Sequence, residues 1–124
     1  MTRMTGFGKL IGIGALGAML LPALCGRAAA EVDKKTLRTW KAKCSSCHGE
    51  DGVGATEQGK KMGVRDMTGA AFWKDLTDAK MKDAISNGIK RQKDGKTQEM
   101  EPYKDKLKPE DIDGLVAYVK TFKK

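Results

Sequence analysis

Three stretches of the chain place apolar residues three and four positions apart, which is the spacing of one face of a helix. They are residues 32–46, 78–87 and 109–122. Period-two alternation is nowhere long enough to indicate a strand. The pattern therefore predicts an all-α domain in which glycine-rich loops join the helices.

Residues typical of helix ends bound two of these stretches. Thr77 is a candidate N-cap for the second helix, and Gly88 stands where a left-handed C-cap belongs. Pro109 suits the first turn of the third helix. Gly114 in that helix costs about 1 kcal/mol relative to alanine, so we interpret it as a point where another helix crosses closely.

The segment from residue 49 to residue 69 contains six glycines and no predicted helix. A structureless loop of this length is unusual in a small domain and commonly surrounds a bound group. We therefore expect it to wrap a ligand.

The first thirty residues have the three-part layout of a secretory signal. Arg3 and Lys9 occur without an acid, residues 10–24 are apolar, and the small residues Ala28–Ala30 precede Glu31. We expect cleavage after about Ala30, which leaves residues 31–124 as one domain in the periplasm. An uncleaved membrane anchor is the alternative, and a lipid-modified Cys25 is disfavoured because bulky Leu24 precedes it.

Composition limits what such a domain can be. The full chain has 124 residues and a net charge of +8, with 24 Lys and Arg against 16 Asp and Glu. Without residues 1–30, 21 basic and 16 acidic side chains remain, a net charge of +5 on 94 residues. One histidine and two cysteines remain there, which excludes a zinc site of four Cys or His ligands and a haem held by two histidines. A domain this small buries only about 60 to 65% of its unfolded surface, so we expect it to need a staple, a metal or a bulky cofactor.

Cys44-Ser45-Ser46-Cys47-His48 is the C-x-x-C-H pattern, which in an exported chain indicates a c-type haem attachment site. One turn of backbone sets two sulfurs along one porphyrin edge for thioether bonds, and His48 falls beneath the iron. A thioredoxin-like pair needs an α/β pattern that is absent here. A disulfide between Cys44 and Cys47 would close a very short loop and leave His48 unexplained, and zinc lacks ligands.

The chain resembles the class I monohaem cytochromes c over most of residues 32–124. The resemblance rests on WKAKCSSCHG (Trp40–Gly49), the glycines that follow, MEPYKDKL (Met100–Leu107) and PEDIDGLVAYVKTF (residues 109–122). It implies three to four helices around one covalent haem, with the N- and C-terminal helices crossing. It also implies an aromatic contact between those helices, which Trp40 and Tyr118 match.

In that family a methionine before the last helix is the sixth iron ligand, and Met100 matches its position. Met100 lies between Glu99 and Glu101, where burial for packing alone would be unusual. Met81 belongs to a helical apolar stripe, whereas Met62 and Met67 suit the haem edge. The chain departs from the family pattern because Glu101 stands between Met100 and the proline.

Three further side chains are candidate haem contacts, namely Arg65, Trp73 and Tyr103. The alternative is that Arg65 is a solvated charge and that both aromatics belong to the core. The ring N–H of a proximal histidine normally donates to a backbone carbonyl, which many family members supply from a proline. The segment from Gly49 to Gly69 has no proline, so no acceptor is assigned to His48.

His48 and Met100 together would fill both axial positions of the iron. The resemblance therefore implies a one-electron carrier of a periplasmic respiratory chain rather than an enzyme, because no position stays open for a substrate. The alternatives are a haem-based sensor or peroxidase-like protein with an open distal site, and a membrane-anchored cytochrome subunit of an oxidoreductase. We expect a monomer that binds redox proteins with acidic surfaces. We do not expect it to bind nucleic acid, and we expect it to associate with a membrane only if the signal is not cleaved. Seven lysines flank the haem-binding segments: Lys41, Lys43, Lys60, Lys61, Lys104, Lys106 and Lys108.

Overall fold

The structure, a computed structural model, describes residues 31–124, so the predicted signal peptide lies outside the described residues. These residues form short helices and one small sheet. Their order is α1 (Lys34–Lys43), α2 (Ser45–His48), α3 (Glu57–Met62), α4 (Ala70–Trp73), α5 (Asp78–Asn87), β1 (Ile89–Lys93), β2 (Lys96–Met100) and α6 (Pro109–Lys120).

The helices with clear end signals lie where the pattern predicts them. Helix α5 has the predicted bounds, and the Thr77 side chain accepts a hydrogen bond from the Lys80 N–H. Helix α6 begins at Pro109 and ends at Lys120, two residues before the predicted end. The first predicted helix is divided, because α1 ends at Lys43 and the single turn of α2 follows Cys44.

Helices α1 and α6 pack against each other at Gly114, as the position of this glycine predicts. A Cβ built there would lie 2.7 Å from Thr36 Oγ1. Thr36 is buried, and its hydroxyl donates to Asp33 Oδ2 at 2.6 Å. The Trp40 and Tyr118 rings meet edge to face across the same interface, with their centroids 5.3 Å apart. This aromatic contact is also as predicted.

The prediction of a chain without strands is wrong for residues 89–100, which form an antiparallel hairpin. Asp94 and Gly95 make the turn with positive φ angles of 53° and 72°, the combination that a two-residue hairpin turn requires. Both strands are largely exposed and rich in charged residues, so they show no alternation of apolar and polar positions. The hydrophobic pattern therefore carries no strand signal here.

Two further predictions need correction. Gly88 ends α5 with φ 74° and ψ −178°, so it has a positive φ but lies outside the left-handed helical region. The segment from residue 49 to residue 69 contains α3, and α4 follows directly after it. The described chain therefore has six helical segments rather than three or four, although three of them have six residues or fewer.

The core lies between α1, α5 and α6. Its buried residues are Trp40, Met67, Met81, Ile85, Tyr103, Ile112, Leu115, Val116 and Val119. Two ion pairs join α5 to α6, from Lys82 to Asp113 and from Lys120 to Asp78. Within residues 31–124, no helix has the length and apolar character needed to cross a membrane.

Candidate functional site

A cavity of about 1320 Å³ opens beside the core. This exceeds the roughly 300–1,000 Å³ of most small-molecule pockets. All six helices and both strands contribute residues to its lining. Helix α6 contributes the buried side chains of Leu115 and Val119. The space therefore suits a large, mostly apolar ligand that every part of the domain contacts.

Cys44, Cys47 and His48 lie together along this cavity. The N–H groups of Cys47 and His48 both donate to the Cys44 carbonyl, at 3.2 and 2.9 Å, which closes one helical turn. Residues three and four positions apart share a helix face, so the two sulfurs and the imidazole are presented on the same side. The predicted three-residue unit is thus brought together.

The surroundings of His48 favour the neutral imidazole that a metal ligand needs, but they leave one ring nitrogen without a partner. Its Nδ1 is buried and has no hydrogen-bond partner, so the structure supplies no acceptor of the kind that a proximal histidine normally has. Burial lowers the pKa of His48, which favours the neutral imidazole that binds metals. The Trp40 ring lies 5.8 Å from the imidazole, and its indole N–H donates to the Gly49 carbonyl at 3.0 Å. Trp40 thereby holds the end of the turn that carries His48.

The two thiols are half-buried and are not joined in a disulfide. Burial raises the pKa of the Cys44 thiol to about 11, and the positive charge of Lys43 opposes this effect only in part. A thiol with such a pKa stays protonated at neutral pH. This environment differs from that of a redox-active pair, whose nucleophilic cysteine needs a lowered pKa.

Met100 lines the same cavity from the hairpin. It is the last residue of β2 and pairs with Ile89. A Cβ built at Gly88 would collide with the Met100 carbonyl oxygen. This close backbone approach fixes the strand end against the end of α5.

Two of the three candidate haem contacts line the cavity, namely Arg65 and Tyr103. An Arg65 guanidinium nitrogen donates to the Phe72 carbonyl at 2.9 Å, and the guanidinium lies over the Phe72 ring. Trp73 is not among the lining residues, and its indole N–H donates to the Met67 carbonyl at 2.7 Å. The neighbouring Phe72 lines the cavity in its place.

Tyr103 joins the segment after Met100 to the end of α1. Its buried ring lines the cavity, and its hydroxyl lies 3.0 Å from the Lys43 carbonyl and 2.9 Å from Glu101 Oε1. The hydroxyl has one hydrogen and can donate to only one of these acceptors at a time. Burial, followed by the Glu101 carboxylate, raises the pKa of Tyr103, so the phenol stays neutral.

The other three methionines of residues 31–124 line the cavity as well, and Met67 and Met81 also belong to the buried core. For Met81, a place in the core is what its helical stripe predicts. Sequence reasoning missed Phe72, Arg91 and Gln98, which also line the cavity. The Asp94-Gly95 turn signal predicts a hairpin, and that hairpin would have identified Arg91 and Gln98. Gln98 lies on the same face of β2 as Met100, and Arg91 lies opposite Gln98 on β1.

The donor set in the cavity comprises two thiols, one imidazole and the thioethers of Met62, Met67, Met81 and Met100. Throughout residues 31–124, no group of three or more His, Cys, Asp or Glu side chains could hold a metal ion. Such a set fits a metal that is already held in an organic ring and needs only axial ligands and covalent anchors. The residues present therefore fit a haem group.

Comparisons with known proteins agree with this chemistry. Residues 32–119 match the family model described as "Cytochrome C oxidase, cbb3-type, subunit III". The solved structure titled "KustC0563 c-type cytochrome" has a TM-score of 0.60 and 30% sequence identity, covering 72% of this chain and 98% of that one. A tyrosine-to-phenylalanine mutant of Kustc0563 matches with a TM-score of 0.58 and 30% identity, covering 71% and 98%. No curated protein matches the sequence significantly.

The fold and the site thus define a small c-type cytochrome, mostly helical with one two-stranded sheet. The chain belongs to the family of cytochrome c domains described as cytochrome C oxidase, cbb3-type, subunit III. Membership implies a covalently bound haem with its iron.

Proposed function

We propose that this protein is a one-electron carrier in which Cys44 and Cys47 anchor the haem and His48 and Met100 are its axial ligands. The observation that carries the proposal is that these four side chains line one cavity, although Cys44 and Met100 are 56 positions apart in the sequence. No other histidine occurs in the chain. When bound, the haem iron supplies a one-electron couple, and methionine with histidine raises its potential relative to two nitrogen ligands.

The protein side chains would keep both axial positions filled and the site dry. His48 is held on the helical turn that also presents both sulfurs, and Met100 is held at the end of a paired strand. The buried side chains of Ile85, Leu115 and Val119 exclude water from the cavity wall. A site with fixed ligands and little water reorganises little on reduction, which suits electron transfer better than substrate chemistry.

The ferric absorption spectrum of the holoprotein tests this assignment. The wild type is expected to show a methionine-to-iron charge-transfer band, and Met100→Ala is expected to abolish it. Met62→Ala, which changes a methionine on the same cavity wall, should retain the band. A high-spin ferric spectrum in the wild type would contradict the proposal and favour a sensor or peroxidase-like protein with an open distal site.

We also propose that the carrier works in the periplasm, in a respiratory chain. The basic n-region, the apolar run and the small residues before Glu31 support export. The mass of the protein recovered from the periplasm should correspond to a chain that begins near Glu31 and carries haem. Retention of residues 1–30 in a membrane fraction would instead favour an anchored cytochrome subunit.

We propose that the protein is a monomer and that its partners are redox proteins with acidic surfaces. All seven lysines that flank the haem-binding segments are exposed, and Lys43 also lines the cavity. Basic side chains around a redox site steer negatively charged partners, and salt screens this effect. Reduction by an anionic iron complex should slow in Lys43→Glu but not in Lys34→Glu, at the far end of α1. Equal rates in both variants at low salt would contradict the docking role of Lys43.

A further inference from the structure

The hairpin that carries Met100 depends on few contacts for its position. All residues from Lys90 to Thr97 are exposed, so the two strands bury little apolar surface between their ends. An isolated two-stranded hairpin is marginally stable in water. The close approach at Gly88 fixes the Met100 backbone, so the orientation of the β2 face that carries the Met100 side chain depends on what docks the rest of the hairpin onto the domain.

The half-buried side chain of Gln98 makes one of the contacts that dock the hairpin. It lies two residues before Met100 on β2, so the two side chains project from the same face, and both line the cavity. Its Nε2 donates to the Gly63 carbonyl at 2.6 Å, and its Oε1 accepts from Arg91 Nε at 2.7 Å. One amide thus links β2 to β1 and also to the end of α3.

The geometry at Gly63 makes this contact specific. Gly63 ends α3 in the left-handed helical conformation, with φ 62° and ψ 41°, and its Cβ position would lie 3.4 Å from Gln98 Nε2. Lys96 makes the neighbouring tie, from its Nζ to the Lys60 carbonyl at 3.0 Å. Lys96 is exposed, so water can replace its hydrogen bond more easily than that of half-buried Gln98.

We propose that Gln98 is a positioning residue that clamps β2 to the end of α3 and thereby holds the Met100 thioether at the iron. This inference rests on the proposed axial ligation by Met100. Loss of the clamp leaves the covalent anchors and His48 in place, because they lie on a different element. It raises the fraction of molecules in which Met100 is detached.

An added ligand that competes with Met100 measures that fraction. Its apparent affinity for the ferric holoprotein rises in proportion to the detached population. With imidazole as the probe, Gln98→Ala should bind roughly three- to ten-fold more tightly than the wild type, the range expected for one lost hydrogen bond. Gln98→Glu should also bind imidazole more tightly than the wild type. A carboxylate can still accept a hydrogen bond from Arg91, but it cannot donate one to the Gly63 carbonyl.

The hairpin itself offers a matched control. Gln92 makes a similar cross-strand hydrogen bond, from its Nε2 to Thr97 Oγ1 at 2.7 Å, but it is exposed and does not line the cavity. Gln92→Ala should leave the imidazole affinity unchanged. Combining Gln98→Ala with Met100→Ala should also add nothing to Met100→Ala alone, since no methionine is left to displace.

The outcomes separate this inference from the function beneath it. If the charge-transfer band is present and depends on Met100, but both Gln98 variants bind imidazole like the wild type, the clamp is refuted and the carrier stands. The clamp is equally refuted if Gln98→Ala tightens imidazole binding in the Met100→Ala background, because the effect then does not act through Met100. If the wild type lacks the band, the ligand assignment and the clamp both fail.

Discussion

At the scale of single residues, Asp33 shows how a side chain fixes the start of a helix. Its Oδ1 accepts hydrogen bonds from the N–H groups of Lys35 and Thr36, at 2.7 and 3.0 Å. The Thr36 hydroxyl and backbone hydrogen bonds lower the pKa of Asp33 by favouring its charged form. A lowered pKa in the folded state means that the stabilisation is complete above the unfolded-state pKa and is lost as the pH falls below it.

We predict that Asp33→Ala lowers the thermal midpoint of the holoprotein by a few degrees at neutral pH, because α1 loses its N-cap. The difference from the wild type should shrink as the pH falls below about 4, where an ordinary aspartate takes up its proton. Asp33→Asn is the control, since it keeps an acceptor oxygen but does not titrate. Thermal melts between neutral and acidic pH check this, and a constant gap between Asp33→Ala and the wild type would contradict it.

Sequence reasoning found the residues whose chemistry depends on local spacing and missed those that depend on distant contacts. Cys44, Cys47 and His48 lie on one turn, so their order along the chain already places them together. Gln98 meets Gly63 across 35 positions, and no local pattern contains that contact. Nothing in the sequence distinguishes Phe72 from Trp73 as the cavity residue, because a helix as short as α4 shows no hydrophobic period.

At the scale of elements, the crossing of α1 and α6 depends on a missing side chain. Gly114 lowers the helix propensity of α6, yet a Cβ at this position would meet Thr36 Oγ1 at 2.7 Å. Thr36 cannot move away easily, because it is buried and its hydroxyl is bonded to Asp33. Close approach of the two helices therefore outweighs the propensity of about 1 kcal/mol that alanine would restore.

We predict that Gly114→Ala destabilises the holoprotein by about 1–3 kcal/mol, the usual cost of overpacking. Thr36→Ala removes the obstructing hydroxyl, so Gly114→Ala should cost much less in that background. Denaturant unfolding of the two single variants and the double variant measures the coupling between these positions. Additive effects would show that Gly114 is not required for the crossing.

Helices and strands were not equally predictable in this chain. Helices α5 and α6 bury one apolar face and carry cap residues, so both period and ends are visible in the sequence. The hairpin has almost no buried side chains between Ile89 and Met100, and only its turn marks it. Helix α3 has six residues and buries only a glycine, which is too little for a hydrophobic period.

At the scale of the whole molecule, we propose that the haem completes the core. The cavity of about 1320 Å³ is bounded by core residues such as Trp40, Met81 and Leu115. Without a ligand in the cavity, these apolar side chains would face water or an empty space. Either arrangement lowers the free energy of unfolding, because apolar surface stays exposed or van der Waals contacts are lost. A domain of this size has little stability to spare for that cost.

We therefore predict that the paired variant Cys44→Ser and Cys47→Ser loses the haem and does not fold cooperatively. Near-ultraviolet circular dichroism and calorimetry of the purified variant should show no cooperative thermal transition. Ser45→Ala with Ser46→Ala alters the same turn but keeps both thiols, so this control should retain covalent haem mass. A stable apo-protein with a sharp transition would show that the fold does not depend on the haem.

The hydrogen bond between the Tyr103 hydroxyl and the Lys43 carbonyl has a consequence for the order of assembly. The two residues are 60 positions apart, and α6, which completes the core, follows Tyr103 in the chain. Synthesis proceeds from the N-terminus, so Cys44, Cys47 and His48 emerge while the second half of the cavity wall does not yet exist. The segment from Cys44 to His48 is thus synthesised before the elements that close the cavity, and closure of the domain comes after the last of them arrives.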